Sequence, residues 1–90
     1  MKTNKQKTQI NLKKAQSLLK KIIIMVENND YCIDIMQQNL AVIGLLKSFH
    51  QMTMENHLNT CFKKAIESQN TEKKEQMTQE ILKVTSLYNR

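Results

Sequence analysis

Apolar residues recur along this chain at three- and four-residue spacing, and that rhythm divides it into helices. Between residues 9 and 27, Ala15, Leu18, Leu19, Ile22, Met25 and Val26 share one helical face. Glu27-Asn28-Asn29-Asp30 then predicts a turn, because Asn and Asp tolerate tight backbone and cap helix starts. A second helix is expected from Tyr31 or Cys32, with nothing to stop it before Gln69-Asn70-Thr71. That is roughly 36 residues, about three times the usual helix length. Its apolar positions (Ile35, Met36, Leu40, Val42, Ile43, Leu46, Phe49, Met52, Leu58, Phe62 and Ile66) spread over more than one stripe. A helix that packs on several neighbours, partner chains included, needs such a distribution. A third helix is expected over 72–87, with Met77, Ile81, Leu82, Val84 and Leu87 as its apolar side and Thr71 as a cap. Residues 1–8 are polar and basic and read as a flexible arm; residues 9–90 read as a single all-helical domain.

Composition agrees with an all-α fold. Proline is absent, and Gly44 is the only glycine, so the tight turns of β-hairpins lack their usual residues. Ninety residues make one domain at most, and so short a chain often draws stability from a metal or from oligomerisation. Two helical hairpins side by side would form a four-helix-bundle dimer.

Charge adds a partner. The formal net charge is +6, and residues 1–26 hold seven lysines and no acid. Lys13 and Lys20 are seven apart, as are Lys14 and Lys21, so these four share one side of the first helix. Such asymmetry suggests a polyanion, nucleic acid before membrane. The longest apolar run, Ile22 to Val26, is far too short to span a bilayer, and no signal peptide is visible. A reducing, cytoplasmic location is expected, where two cysteines serve more often as ligands or redox groups than as staples.

His57 and Cys61 are four apart, so on a helix they can chelate one ion. Alone, the pair also fits a buried cysteine beside a surface histidine. Cys32 strengthens the metal reading, because the first turn of a helix favours a thiolate. Along one straight helix Cys32 and His57 are separated by roughly 37 Å, which excludes a shared ion within one chain. Two copies of this helix running antiparallel would bring Cys32 of one to His57 and Cys61 of the other. The crossing would fall near residue 45, beside Gly44, whose missing side chain suits a close approach but is also tolerated in a lone helix. Three soft ligands, two of them thiolate, favour Cu(I) over the four-ligand set of structural zinc.

At these residues the sequence resembles the copper-sensing operon repressor (CsoR) family. The likeness runs from Leu12 to Ile66. It is strongest at Met25-Val26-Glu27, Tyr31-Cys32-Ile33-Asp34-Ile35, Gln38, Ala41-Val42, His57-Leu58 and Cys61. The Cys-His-Cys set resembles the copper branch. The nickel–cobalt branch usually has histidine at the last position, the formaldehyde branch usually lacks that cysteine, and the sulfur-sensing branch lacks the histidine.

The resemblance implies a three-helix protomer, an antiparallel four-helix dimer and a dimer of dimers. It implies a repressor that binds operator DNA when metal-free and is released by copper, a coupling between two sites on one assembly. It further implies support for the histidine ligand from Tyr31 and from a glutamate on the third helix, Glu80 or Glu75. The first helix departs from the family: Lys14-Ala15-Gln16-Ser17-Leu18-Leu19-Lys20 stands where members carry arginines and a Glu-Gly-Gln triplet. Lysine still neutralises phosphate, but arginine's fork reads guanine better. Two other readings stay open: a persulfide- or redox-sensing repressor using Cys32 and Cys61, and a cytosolic copper-binding protein that never meets DNA. His50, Met52 and Met54 could form a second copper route, although methionines at this density are commonly core filler. No phosphate loop, catalytic triad or HExxH motif is present, which argues against an enzyme.

Overall fold

The computed structural model describes residues 3–90, and among them every regular element is helical. Helix α1 spans Asn4–Glu27 and α2 spans Cys32–His57. A π-helical turn, Leu58–Phe62, joins α2 to the short α3, Lys63–Glu67, and α4 spans Thr71–Tyr88. The helical path from Cys32 to Glu67 is thus unbroken, so the three expected helical runs are present, with a local widening where a uniform α-helix was expected.

Helix α1 starts earlier than the apolar rhythm suggests. Thr3 and Gln6 form a reciprocal capping box: the Gln6 N–H donates to Thr3 Oγ1 at 3.1 Å, and the Thr3 N–H donates to Gln6 Oε1 at 2.9 Å. The chain is therefore helical from Asn4 on, and the expected arm does not extend to residue 8. Residues 1 and 2 of that arm lie outside the described residues.

The helix ends as Asn-rich sequences end. Asn29 takes a left-handed φ of 54°. The Asp30 N–H donates to the Met25 carbonyl at 2.9 Å, and the Asn29 N–H to that of Val26 at 3.1 Å. These two bonds close a Schellman motif with Asn in the place usually held by Gly. Before α4, Gln69 is likewise left-handed, with φ 61°. The cap of α4 is Asn70, whose Oδ1 accepts from the Lys73 N–H at 3.1 Å. Thr71, the expected cap, is the first helical residue instead. Asn outranks Thr at this position.

Two compact units emerge, one ending at Met54 and the other running from Glu55 to Arg90. The first is the α1–α2 hairpin. Along the seam the sheltered positions are Asn4, Thr8, Asn11, Ala15, Leu18, Ile22 and Met25 on α1, and Ile35, Gln38, Val42, Leu45, Phe49 and Met52 on α2; Ile10, His50 and Met54 are partly sheltered as well. Both seam series alternate three- and four-residue steps, the spacing of a two-helix seam. Ala15 and Val42 are its buried core. On α1 the seam is apolar toward the turn and polar toward the open end, where α2 presents Phe49 and Met52. There Asn4 Nδ2 donates to the Met52 carbonyl at 3.3 Å, and Asn11 Nδ2 donates to Ser48 Oγ at 3.0 Å.

In the second unit α3 and α4 pack together around Ala65, which is fully buried. Met77 and Ile81 are partly sheltered on α4, whereas Leu82, Val84 and Leu87 of the expected apolar side stand exposed. The hairpin shows the same excess. Leu12, Leu19, Ile23 and Val26 on α1, and Met36, Leu40, Ile43 and Leu46 on α2, are all exposed. No large side chain among the described residues is fully buried. Helices with apolar residues on more than one face are built to be covered by further helices.

Candidate metal centre

Tyr31 and Cys32 form the start of α2. The Tyr31 carbonyl accepts the first helical bond, from the Ile35 N–H at 3.2 Å. Cys32 is the first helical residue, so its sulfur is carried at the end where backbone N–H groups lack helical acceptors and the dipole favours an anion. Asp34 already places one carboxylate in that first turn. Both Tyr31 and Cys32 are exposed, and the Cys32 thiol is free.

His57 is the last residue of α2 and is partly sheltered. Cys61 follows inside the π turn, exposed and free. Cys32 and His57 therefore stand at opposite ends of one 26-residue helix, as the expected spacing requires. Among the described residues, no group of three His, Cys, Asp or Glu side chains gathers in one chain to hold a metal. A Cys32–His57–Cys61 site requires a second copy. The donor set suits a soft monovalent ion: two thiols, both unpaired, and one imidazole match Cu(I) chemistry.

Glu75 and Glu80 both lie on α4 and are exposed. On α1, Lys13, Lys14, Lys20 and Lys21 are all exposed. Around Lys13, an open groove of about 230 Å³ is lined by Gln6, Gln9 and Ile10 as well. No helix among the described residues is long and apolar enough to cross a membrane.

Sequence reasoning missed the π turn and the contacts of Thr60 within it. The Thr60 hydroxyl donates to the Asn56 carbonyl at 2.7 Å and lies 3.8 Å from the Cys61 sulfur. The available signal was a threonine four residues after a helical carbonyl and next to a ligand, a pattern too common to single out.

Comparison with known proteins adds an independent line. Residues 4–86 match the family of metal-sensitive transcriptional repressors. A copper-sensing transcriptional repressor, CsoR, of Mycobacterium ulcerans (strain Agy99) is 40% identical over 65 residues, covering 71% of this chain and 56% of that protein. The CsoR of Mycobacterium tuberculosis (strain ATCC 25618 / H37Rv) is 37% identical over 65 residues, covering 71% of this chain and 55% of its own length. The CsoR of Bacillus subtilis (strain 168) is 38% identical over 69 residues, covering 74% and 68%. The chain thus spans just over half the length of the mycobacterial relatives. No solved structure matches.

Proposed function

The chain belongs to the family of metal-sensitive transcriptional repressors, and from that premise we propose that it is a copper(I)-responsive repressor rather than an enzyme. It binds operator DNA when metal-free and leaves it when Cu(I) occupies a site shared between two protomers. The observation that carries this reading is the placement of two thiols and an imidazole at the two ends of α2, with Cys32 opening the helix and His57 and Cys61 at its far end. Relatives named copper-sensing repressors support the choice of metal.

The assembly follows from the same placement. Two α2 helices run antiparallel, Cys32 of each protomer beside His57 and Cys61 of the other. They cross near Gly44 and Leu45, where the exposed Leu40, Ile43 and Leu46 become covered. Gly44 has open space around it, so nothing in its own chain requires a glycine there. A homodimer of hairpins, paired again into a homotetramer, also covers the exposed apolar faces of α1 and α4. The helical chain from Asn4 onward acts as one functional domain within that assembly, in the cytoplasm.

Cys32 of one protomer with His57 and Cys61 of the other would hold Cu(I), which would supply a soft cation shared by the two chains. The chain's own residues do the rest. His57 would ligate through one ring nitrogen, leaving the other free to be supported by a partner such as Tyr31 or Glu80. Lys13, Lys14, Lys20 and Lys21 meet phosphate on the DNA and dominate affinity, while sequence is read weakly or by shape.

The test combines two titrations on one preparation. Cu(I) is titrated against a competing chelator, and the metal-free and copper-loaded forms are then assayed for a mobility shift of the protein's own promoter at moderate salt. Tight copper binding that is lost in Cys32→Ala, with a DNA shift abolished by copper, supports the proposal. Unchanged copper affinity in Cys32→Ala refutes the site. A metal-free protein that ignores the promoter refutes the repressor.

A further inference from the structure

Between α2 and α3 the helix widens into the π turn Leu58–Phe62, and Cys61 lies inside it. Such turns are rare in helices and recur at functional positions. Thr60 is the residue whose side chain acts there. Its hydroxyl donates to the Asn56 carbonyl, four residues back, at 2.7 Å. Back-bonding of this kind competes with the backbone donor for the same carbonyl and loosens the helical ladder.

The back-bond alone does not widen a helix. Thr78 makes the same bond to the Lys74 carbonyl at 2.8 Å, and α4 stays α-helical throughout. What distinguishes Thr60 is its neighbour: its hydroxyl oxygen lies 3.8 Å from the Cys61 sulfur. A threonine hydroxyl carries one proton. It can serve the Asn56 carbonyl or the Cys61 sulfur, both of which lie within hydrogen-bond reach of the same oxygen. A sulfur that gives electron density to a cation gains from a hydrogen bond that fixes its direction.

We propose that Thr60 is a positioning residue for Cys61: its hydroxyl supports the π turn that carries the thiol and turns toward the sulfur when the sulfur ligates a soft cation. This rests on the reading of Cys61 as a copper ligand. Thr60 acts through the ligand, as the outer partners of metal-bound side chains do.

The experiment compares Thr60→Val, which keeps the shape and loses the hydroxyl, with Thr60→Ser, which keeps the hydroxyl. Cu(I) alone is the probe, read by chelator competition on the full chain. The expected loss for Thr60→Val is about tenfold in copper affinity, the lower end of what outer-partner changes cost, with Thr60→Ser close to the parent. A second readout needs no copper: the rate at which a disulfide reagent attacks Cys61 in a Cys32→Ser background. Thr60→Val should change that rate and Thr60→Ser should not, at unchanged helicity by circular dichroism.

Equal behaviour of the parent and Thr60→Val in both readouts overturns the inference, as does equal loss in the Val and Ser variants. Cys61→Ala separates the two claims. If it costs copper affinity while Thr60→Val does not, only the role of Thr60 fails. If Cys61→Ala costs nothing, the copper reading fails and takes this inference with it.

Discussion

Asn11 on α1 donates through Nδ2 to the Ser48 hydroxyl on α2 at 3.0 Å, and with the Asn4 Nδ2 bond to the Met52 carbonyl it ties the two helices in one register. Leucines and isoleucines farther along the seam can slide by a turn at modest cost. A polar pair cannot, because its partners are lost. Asn at one seam position is a known way of specifying register in paired helices. The bond also lies at the open end of the hairpin, so it restrains the two helices where the turn at Asn28-Asn29 restrains them least.

Asn11→Ala should therefore lower stability by about 1 kcal/mol, the usual net worth of such a bond. Urea unfolding at fixed protomer concentration measures it, since an oligomer's midpoint moves with concentration. Ser48→Ala should cost a similar amount, and the double variant no more than either single one by a wide margin. Fully additive losses would mean that the two residues stabilise the hairpin separately.

Gly44 gives opposite expectations for a lone chain and for an assembly. A Cβ at this position meets nothing within 4 Å in its own chain. In an isolated hairpin Gly44→Ala should stabilise α2 by roughly 1 kcal/mol through helix propensity. In the proposed dimer the same methyl group falls at the helix crossing and should raise the dissociation constant. Analytical ultracentrifugation over a dilution series decides it. A dimer as tight as the parent's, with a higher melting temperature, would move the crossing away from Gly44.

Much of this was readable in the chain. The apolar rhythm located α1, α2 and α4, since the 3.6-residue period needs only local sequence. Glu27 to Asp30 read correctly as a turn because Asn carries its own conformational preference. The separation of Cys32 from His57 was legible for the same reason: helix geometry converts sequence separation into space. Other features were not. Thr3 and Gln6 spell a capping box, yet the surrounding lysines made that stretch resemble an arm. Asn70 and Thr71 are both competent caps, and only backbone geometry chooses between them. The π turn depends on a balance of backbone bonds around Thr60 that no periodicity reports. The choice between Glu75 and Glu80 is not made by one chain, in which both are exposed on α4 and no ligand group gathers among the described residues.

The lysines of α1 can be tested without knowing the operator. Each lysine that neutralises a phosphate releases counterions, so the slope of log affinity against log salt should flatten by about 0.9 for every such lysine removed. Lys13→Ala, Lys14→Ala, Lys20→Ala and Lys21→Ala, alone and together, should show this on promoter DNA and on unrelated DNA alike. These side chains are exposed, so folding should be preserved. A combined variant with the parent's salt slope would exclude this face of α1 from the DNA contact.

The proposed shared metal site has a test that no single-chain site can pass. Cys32→Ala protomers keep His57 and Cys61, while His57→Ala/Cys61→Ala protomers keep Cys32. Neither homodimer holds a full ligand set. A mixed dimer holds one, because Cys32 of the second kind meets His57 and Cys61 of the first; its other site has lost every ligand. Unfolding and refolding the two variants together should restore tight Cu(I) binding, at one ion per mixed dimer where the parent takes two. Differently tagged chains allow the mixed species to be purified and its copper counted against a chelator. Each pure variant should lose at least the tenfold in affinity that a lost contact worth about 1.4 kcal/mol implies. If the mixed dimer binds no better than its parents, Cys32 does not complete the site across the dimer, and the antiparallel pairing of α2 falls with it. If it recovers, the ion bridges two chains, and a ligand at the start of one helix controls the end of another.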